Sequence, residues 1–189
     1  MELLAAFVRS HAPASSCPDD LHSDIAPATD IQAVLTAIGR REVGHDDPGP
    51  INLANTCLAG ADFADAQLAK TILLDANLYE ASLPDANLAN AALTGATLTR
   101  ANLVHANLRG TGLHSAVLKS AFMPYADLAQ AGLAGADLTD ASVSAADLVL
   151  ASPRRADRGQ RLLFDRVQRP RSRPGAVRRI ARRRPDRRR

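Results

Sequence analysis

Tryptophan is missing from this chain, and its 189 residues hold only six aromatics. That excludes a core built on large rings and suits a narrow interior. There are two cysteines, Cys17 and Cys57, and no Cys-x-x-Cys pair. The spacing excludes a cysteine-based metal site, and two such residues do not make a disulfide scaffold. Cys57 is expected to be a harmless small residue at a variable outward position. The apolar runs fall far short of the ~18 residues a membrane span needs. The start of the chain lacks the basic residues of a secretion signal. No phosphate-binding loop, Gly-x-Ser-x-Gly or zinc-helix motif occurs. The expected catalytic, cofactor-binding and metal residues are therefore none, and the expected cofactors none.

What the chain has instead is one unbroken register from Ile51 to Leu150. An apolar residue stands at every fifth position, from Leu53 to Leu148, 20 times in a row and 17 times as Leu. Two places earlier stands a small residue, Ala in 16 units, with Ile51, Thr56, Thr71 and Thr111 as exceptions. No insertion or deletion disturbs the count.

A period of five is neither the helical 3.6 nor the strand 2.0. Two residues apart is the strand step, so the Ala and Leu of one unit point to one side of an extended backbone. The next such residue lies three further on, so the chain must turn once per unit. Repeated bends in one sense make a coil, and stacked coils share one core. The Leu fills the middle, and the Ala sits where the wall approaches it. The other three residues of each unit face outward and are varied.

The units Ala76-Asn77-Leu78, Ala86-Asn87-Leu88, Ala101-Asn102-Leu103, Ala106-Asn107-Leu108, Ala126-Asp127-Leu128 and Ala136-Asp137-Leu138 resemble the Ala-(Asp/Asn)-Leu-x-x pattern of pentapeptide-repeat proteins. The resemblance covers 100 of 189 residues. It implies an all-β solenoid, a right-handed quadrilateral β-helix with four units per coil. Twenty units then give about five coils, a stack about 24 Å tall at the usual strand spacing. Some members of the family imitate duplex DNA and bind DNA gyrase. That needs a long, strongly acidic rod. Here the coils are few, the nine acids spread over four faces, and the C-terminal segment is basic.

The ends lack the repeat. Residues 1–28 read as a short helix, over 2–9, and a loose linker over 10–28. Residues 29–50 read as a capping helix and lead-in. Thr29 is expected as N-cap, in a capping box with Gln32. Ile31, Val34, Leu35 and Ile38 form one apolar face, expected to cover the first coil near Leu53 and Leu58. Gly39 is the expected stop, and Asp46-Asp47-Pro48-Gly49-Pro50 the turn into the solenoid. This leader resembles that of actinobacterial members. The expected location is cytoplasmic, with membrane association only if the true N-terminus lies upstream of Met1, where the resemblance implies that related proteins often carry a membrane segment.

Charge is divided unevenly. Residues 1–50 carry net −5, residues 51–150 net −5, and residues 151–189 net +13, with 16 Arg and no Lys. The last segment reads as a disordered tail. Three readings stay open: an arm for nucleic acid or acidic lipid, a solvated tail, or a translated shifted frame. Leu162, Leu163, Phe164 and Val167 suggest weak docking near Leu148.

With four units per coil, residues 20 apart stack. One ladder is Asp65, Asp85, His105 and Tyr125; a metal or acid–base pair at Asp85 and His105 is weighed against a plain polar stripe, which is favoured. A second sets Glu80 over Arg100. A third, Gln67, Asn87, Asn107, Asp127 and Asp147, suggests amides bonded along the axis. The sequence therefore points to a non-catalytic scaffold for contact with an unidentified protein partner. The alternative is a nucleic-acid-associated role, by mimicry at DNA gyrase or through the tail. A homodimer through an open coil end is a further expectation.

Overall fold

The computed structural model describes residues 1–17, 25–41, 49–149 and 151. The repeat is best understood by asking where the five N–H groups of one unit go. In the unit Ala76–Glu80, Ala76 N–H donates back to Leu73 O (3.2 Å), closing a turn. Asn77 N–H reaches Thr56 O in the coil before (2.9 Å). Leu78 and Glu80 donate to Thr97 O (2.7 Å) and Thr99 O (3.0 Å) in the coil after. The fifth, Tyr79 N–H, is taken by the Asn77 side chain, Oδ1, at 3.0 Å.

That last bond explains the Asn or Asp of the motif. Asn52, Asp62, Asn87, Asn102, Asn107, Asp127, Asp137 and Asp147 each accept from the N–H two residues on in the same way. In two of the other eleven units the donor itself is missing. Ser82 and Phe122 precede Pro84 and Pro124 by two, and proline has no N–H to satisfy. It also suits the second position of this turn.

The parallel bridges run from Asn52↔Ile72 to Asp127↔Asp147, each 20 residues apart. Twenty residues make four units, so each coil has four sides. At every corner between Asn55 and Ala145 the fifth residue is left-handed, with φ between 53° and 74°. A turn with positive φ only at its third residue is type II. Gly, Asn and Asp fill ten of these nineteen corners, the residues that tolerate such φ best. Gly60 is required for a second reason: a Cβ there would lie 1.6 Å from the backbone oxygen of Ile25.

The interior is the expected one. All twenty fifth-position side chains are at most 5% exposed, and the small residues facing them at most 9%. The hydroxyls of Thr56 and Thr111 return to backbone carbonyls, Leu53 O (2.7 Å) and Leu88 O (2.9 Å). The buried Thr71 hydroxyl has no such partner among the described residues.

The first coil has no coil before it, so its edge N–H and C=O groups need other partners. Helix α1 (Glu2–His11) and the segment after it serve the first two sides. Arg9 Nη1 donates to Asn52 O. Pro13 bridges Thr56 antiparallel, Cys57 N–H donates to Ala12 O (2.8 Å), and Ala14 N–H to Asn55 O (2.8 Å). Helix α2 (Thr29–Gly39) serves the other two. The Gln32 side-chain amide pairs with both backbone groups of Asp62, at 2.8 and 3.0 Å. Gln67 N–H donates to Gly39 O (2.8 Å). Arg41 donates to Gln67 O (3.1 Å) and Ala69 O (2.6 Å). Ala5, Val8, Ile31, Leu35 and Ile38 are buried in one cluster with the coil leucines.

Several expectations change here. Thr29 is the first helical residue, not the N-cap; Ala28 holds that place with no side-chain bond. Gln32 cannot close a capping box because its amide is committed to Asp62. Gly39 is the last helical residue rather than a left-handed stop, since Arg40 follows at φ −86°. Its missing Cβ matters for packing: one would lie 2.8 Å from Ala66 Cβ. Helix α2 bonds to the 62–69 stretch, while α1 and its continuation bond at 52–57. The stretch after α1 is also more than a linker. It contains a 3-10 helix, Ala14–Ser16, and then Cys17, which forms a disulfide with Cys57 (Cα–Cα 5.3 Å). So neither cysteine is isolated. Closing a 40-residue separation removes unfolded-state freedom worth about 4 kcal/mol on chain-entropy reasoning. Asp46, Asp47 and Pro48 of the expected turn, part of the linker (18–24) and the docking of Leu162, Leu163, Phe164 and Val167 lie outside the described residues.

The filled cross-section generates a prediction. Leu103→Arg unfolds the stack, because a buried unpaired charge has no partner inside. Ala106→Leu costs about 1–3 kcal/mol by overpacking. Thermal melting followed by β-type circular dichroism checks both, and unchanged midpoints would contradict this interior.

Candidate functional site

The four sides are not equivalent. Face 1 carries the units starting at 51, 71, 91, 111 and 131, and face 2 those at 56, 76, 96, 116 and 136. Face 3 carries those at 61, 81, 101, 121 and 141, and face 4 those at 66, 86, 106, 126 and 146. On face 2 the charges pair: Arg100 with Glu80 (3.1 Å) and Lys119 with Asp137 (3.3 Å). On face 4 Arg109 approaches Asp127 (4.0 Å). These pairs are exposed, and such pairs contribute under ~1 kcal/mol each.

Face 4 also carries the amide ladder. Asn87 Nδ2 donates to Gln67 Oε1 (3.0 Å), and Asn107 Nδ2 to Asn87 Oδ1 (3.2 Å). The run stops at Asp127 because a carboxylate has no N–H to pass on.

Face 3 differs from the rest. Its units contain Asp62, Asp65 and Asp85 and no Lys or Arg. Bridges stack Asp62, Ser82, Asn102, Phe122 and Ser142 in one column. The corner column holds Asp65, Asp85, His105, Tyr125 and Ala145, all at positive φ. Phe122 is 50% exposed and Tyr125 60%. The other two aromatics of the coils, Phe63 and Tyr79, are buried. His105 stacks on Tyr125, with ring centroids 5.0 Å apart and planes 11° apart. The imidazole is thus engaged with the ring above it rather than with Asp85. Among the described residues no group of three or more His, Cys, Asp or Glu is placed to hold a metal ion.

Two clefts lie at the N-terminal end. One of about 250 Å³ sits beside the disulfide and is lined by His11, Ser16, Ile25, Ile31 and Cys57. The other, about 360 Å³, separates α2 from face 3 and includes Thr36, Arg40, Asp62 and Asp65. Among the described residues no helix is long and apolar enough to cross a membrane.

Reading the residues alone placed the columns correctly but not what stands out in them. Phe122 occupies a position that holds Asn or Asp in nine of the twenty units and no other aromatic, and that departure was the available signal. The Cys17–Cys57 pairing had no signal at all, because 40 residues separate the two thiols.

Asp137 has its carboxyl held below the usual value, first by the Thr139 hydroxyl, then by the Thr139 N–H, with Lys119 adding to it. A lowered folded pKa means stability that is present above the unfolded value near pH 4 and is lost as pH falls through the folded one. Thr139→Val is expected to raise the Asp137 titration midpoint in a carboxyl NMR titration and to shrink the acid-side loss of stability. An unmoved midpoint would rule out the hydroxyl as its main cause.

Comparison with known proteins follows from this geometry. No match is found among curated proteins. Among solved structures, the chain is similar to the pentapeptide repeat protein Rfr23 of the cyanobacterium Cyanothece 51142, at 32% identity over 56% of this chain and 69% of that one, TM-score 0.40. It is also similar to QnrB1, a plasmid-mediated fluoroquinolone resistance protein, at 20% identity over 59% of this chain and 56% of that one, TM-score 0.32. A third is HetL of Nostoc sp. strain PCC 7120, a pentapeptide repeat protein involved in heterocyst differentiation regulation, at 25% identity over 51% of this chain and 70% of that one, TM-score 0.17. The family model for pentapeptide repeats matches eight copies over residues 51–85, 76–114 and 113–148. With just over half of its residues matched in the register that makes four-sided coils, the chain belongs to the pentapeptide-repeat family and folds as that family's right-handed quadrilateral β-helix.

Proposed function

We propose that the chain is a non-catalytic scaffold that holds a protein partner against its outer wall. The observation that carries this reading is the half-exposed pair Phe122 and Tyr125 on face 3. Aromatic side chains at the centre of a contact supply much of its energy. The wall behind them is rigid, since each coil is bonded to its neighbours, and the interior is filled by Leu and Ala. Phe122→Ser with Tyr125→Ser is expected to abolish capture of a specific protein by the full chain, while Leu74→Ser on face 1 preserves it. Quantitative mass spectrometry of crosslinked captures reads the difference. Identical captured sets would overturn the assignment. DNA gyrase subunits lost with the same face would identify the partner, and recovery of this chain alone would mean a homodimer.

A second reading is favoured by one observation, the 16 Arg against three Asp in residues 151–189. Such a segment neutralises phosphates and releases counterions. It supports a nucleic-acid-associated role through charge rather than through mimicry, because three of the five acids on faces 2 and 4, Glu80, Asp127 and Asp137, already face Arg or Lys. Duplex binding by the full chain is expected to weaken steeply with salt. Replacing Arg182, Arg183 and Arg184 by Gln is expected to reduce the slope of log K against log salt by about 3 at most. A slope unaffected by these changes would count against the tail, and preference for anionic vesicles over duplex would redirect the reading to lipid.

The Cys17–Cys57 bond supports an oxidising compartment rather than the cytoplasm. Maleimide added to intact cells before lysis reads this directly: labelled cysteines would restore the cytoplasmic assignment.

A further inference from the structure

We propose that face 3 is the docking surface for the chain's own arginine-rich segment, residues 152–189, seated in cis. This inference goes beyond the scaffold reading: it gives the same rings an occupant in cis that a protein partner would displace.

The surface and the segment complement one another in two ways. Face 3 bears three carboxylates, Asp62, Asp65 and Asp85, and none of its units supplies a cation; Arg40 of the cap stands at its N-terminal margin. On face 2 two of the three acids pair with Arg or Lys, on face 4 Arg109 approaches Asp127, one of two, and face 1 holds only Asp75. The same face shows the solenoid's exposed aromatic pair, Phe122 and Tyr125, with His105 stacked beneath. Exposed rings, with carboxylates two and three coil spacings (about 10–14 Å) further along the face, suit a run of one side chain in particular. Guanidinium forms forked bonds to a carboxylate and lies flat on an aromatic face. The segment supplies 16 Arg and no Lys.

The described chain ends at Ala151, which opens the next face 1 unit, on the side of the tube opposite face 3. Tyr125 lies in the fourth coil, directly below Ser144 and Ala145, whose small side chains leave the rings open from that end. A segment leaving there passes round face 4 before it meets Tyr125 and Phe122, then His105, then Asp85 and Asp65. From Tyr125 to Asp65 is three coil spacings, about 14 Å. Roughly five extended residues span that distance, and 38 follow Ala151. Reach does not limit the contact.

The test uses the full chain, freed of nucleic acid, with p-benzoylphenylalanine in place of Phe122 and, separately, of Tyr125. Both sites are exposed, so the probe leaves the interior alone. Illumination at low salt is expected to link the probe to peptides from residues 152–189 of the same molecule. The yield should exceed that from a probe at Leu74 by at least ~5-fold and fall at least ~3-fold when salt reaches about 1 M. Adding Asp65→Asn and Asp85→Asn to the Phe122-probe chain should also lower it at least ~3-fold. Equal yields at positions 122, 125 and 74, or no link to the segment, would overturn the proposal. So would links found only between two molecules and rising with concentration, which would make the occupant a second copy. A yield unchanged by the two Asn substitutions would remove the charge pairing on which it rests. Melting of each probe chain at the parent midpoint confirms that the surface tested is the native one.

Discussion

Turning a polypeptide through a right angle every five residues leaves five N–H groups per unit that must each find an acceptor. The whole solenoid depends on how that is met. Three groups go to neighbouring coils, one closes the corner, and in nine of the twenty units the last is taken by the unit's own Asn or Asp, as Tyr79 N–H is by Asn77. The corner requires a left-handed residue, and the flat side requires a small residue and a Leu facing inward. Motif, corner and core are three aspects of one constraint. Pro84 and Pro124 show that the constraint concerns the N–H rather than the Asn, because removing the donor removes the need for the acceptor.

The same requirement shapes the N-terminal end. An edge of unpaired peptide groups invites association with other chains. Here no single element covers it. A backbone carbonyl serves Cys57, a side-chain amide serves Asp62, the last carbonyl of α2 serves Gln67, and two arginines serve three edge carbonyls. The disulfide then fixes the segment that supplies the first of these. Helix α2 has the apolar face its pattern promised, but its polar residues are placed for the coil edge and not for the helix. That is why Thr29 and Gln32 read as a capping box and are not one. Local rules assumed that the helix's own orphan groups would claim Gln32, and a tertiary acceptor claimed it instead.

Legibility followed the same line. Contacts at fixed separation were open to reading: Glu80 over Arg100, His105 under Tyr125, Asn107 to Asn87 to Gln67. Each is one coil apart, and the register makes one coil equal to 20 residues. Contacts at irregular separation were closed to it: Cys17 with Cys57, Gly39 against Ala66, Arg41 on Ala69. These depend on how a non-repeating leader folds back, which no periodicity encodes. The candidate surface fell between. Its columns were legible; the solvent exposure of Phe122 and Tyr125 was not, because it depends on the small neighbours Ser142, Ser144 and Ala145 standing above.

The corners carry a consequence for how such a chain can change. Any insertion of five residues keeps every leucine inside and the coil-to-coil backbone bonds in register. It also swings all later residues a quarter of the way round the tube. One extra unit between Leu88 and Leu93 would leave the thermodynamics of the stack nearly untouched while carrying the aromatic pair to a different wall from Asp65 and Asp85. Only gains or losses of 20 residues preserve which side chains share a surface. Lengthening by fives is thus neutral for folding and disruptive for recognition, so the outer columns can be reshuffled by a change that the hydrophobic interior does not register.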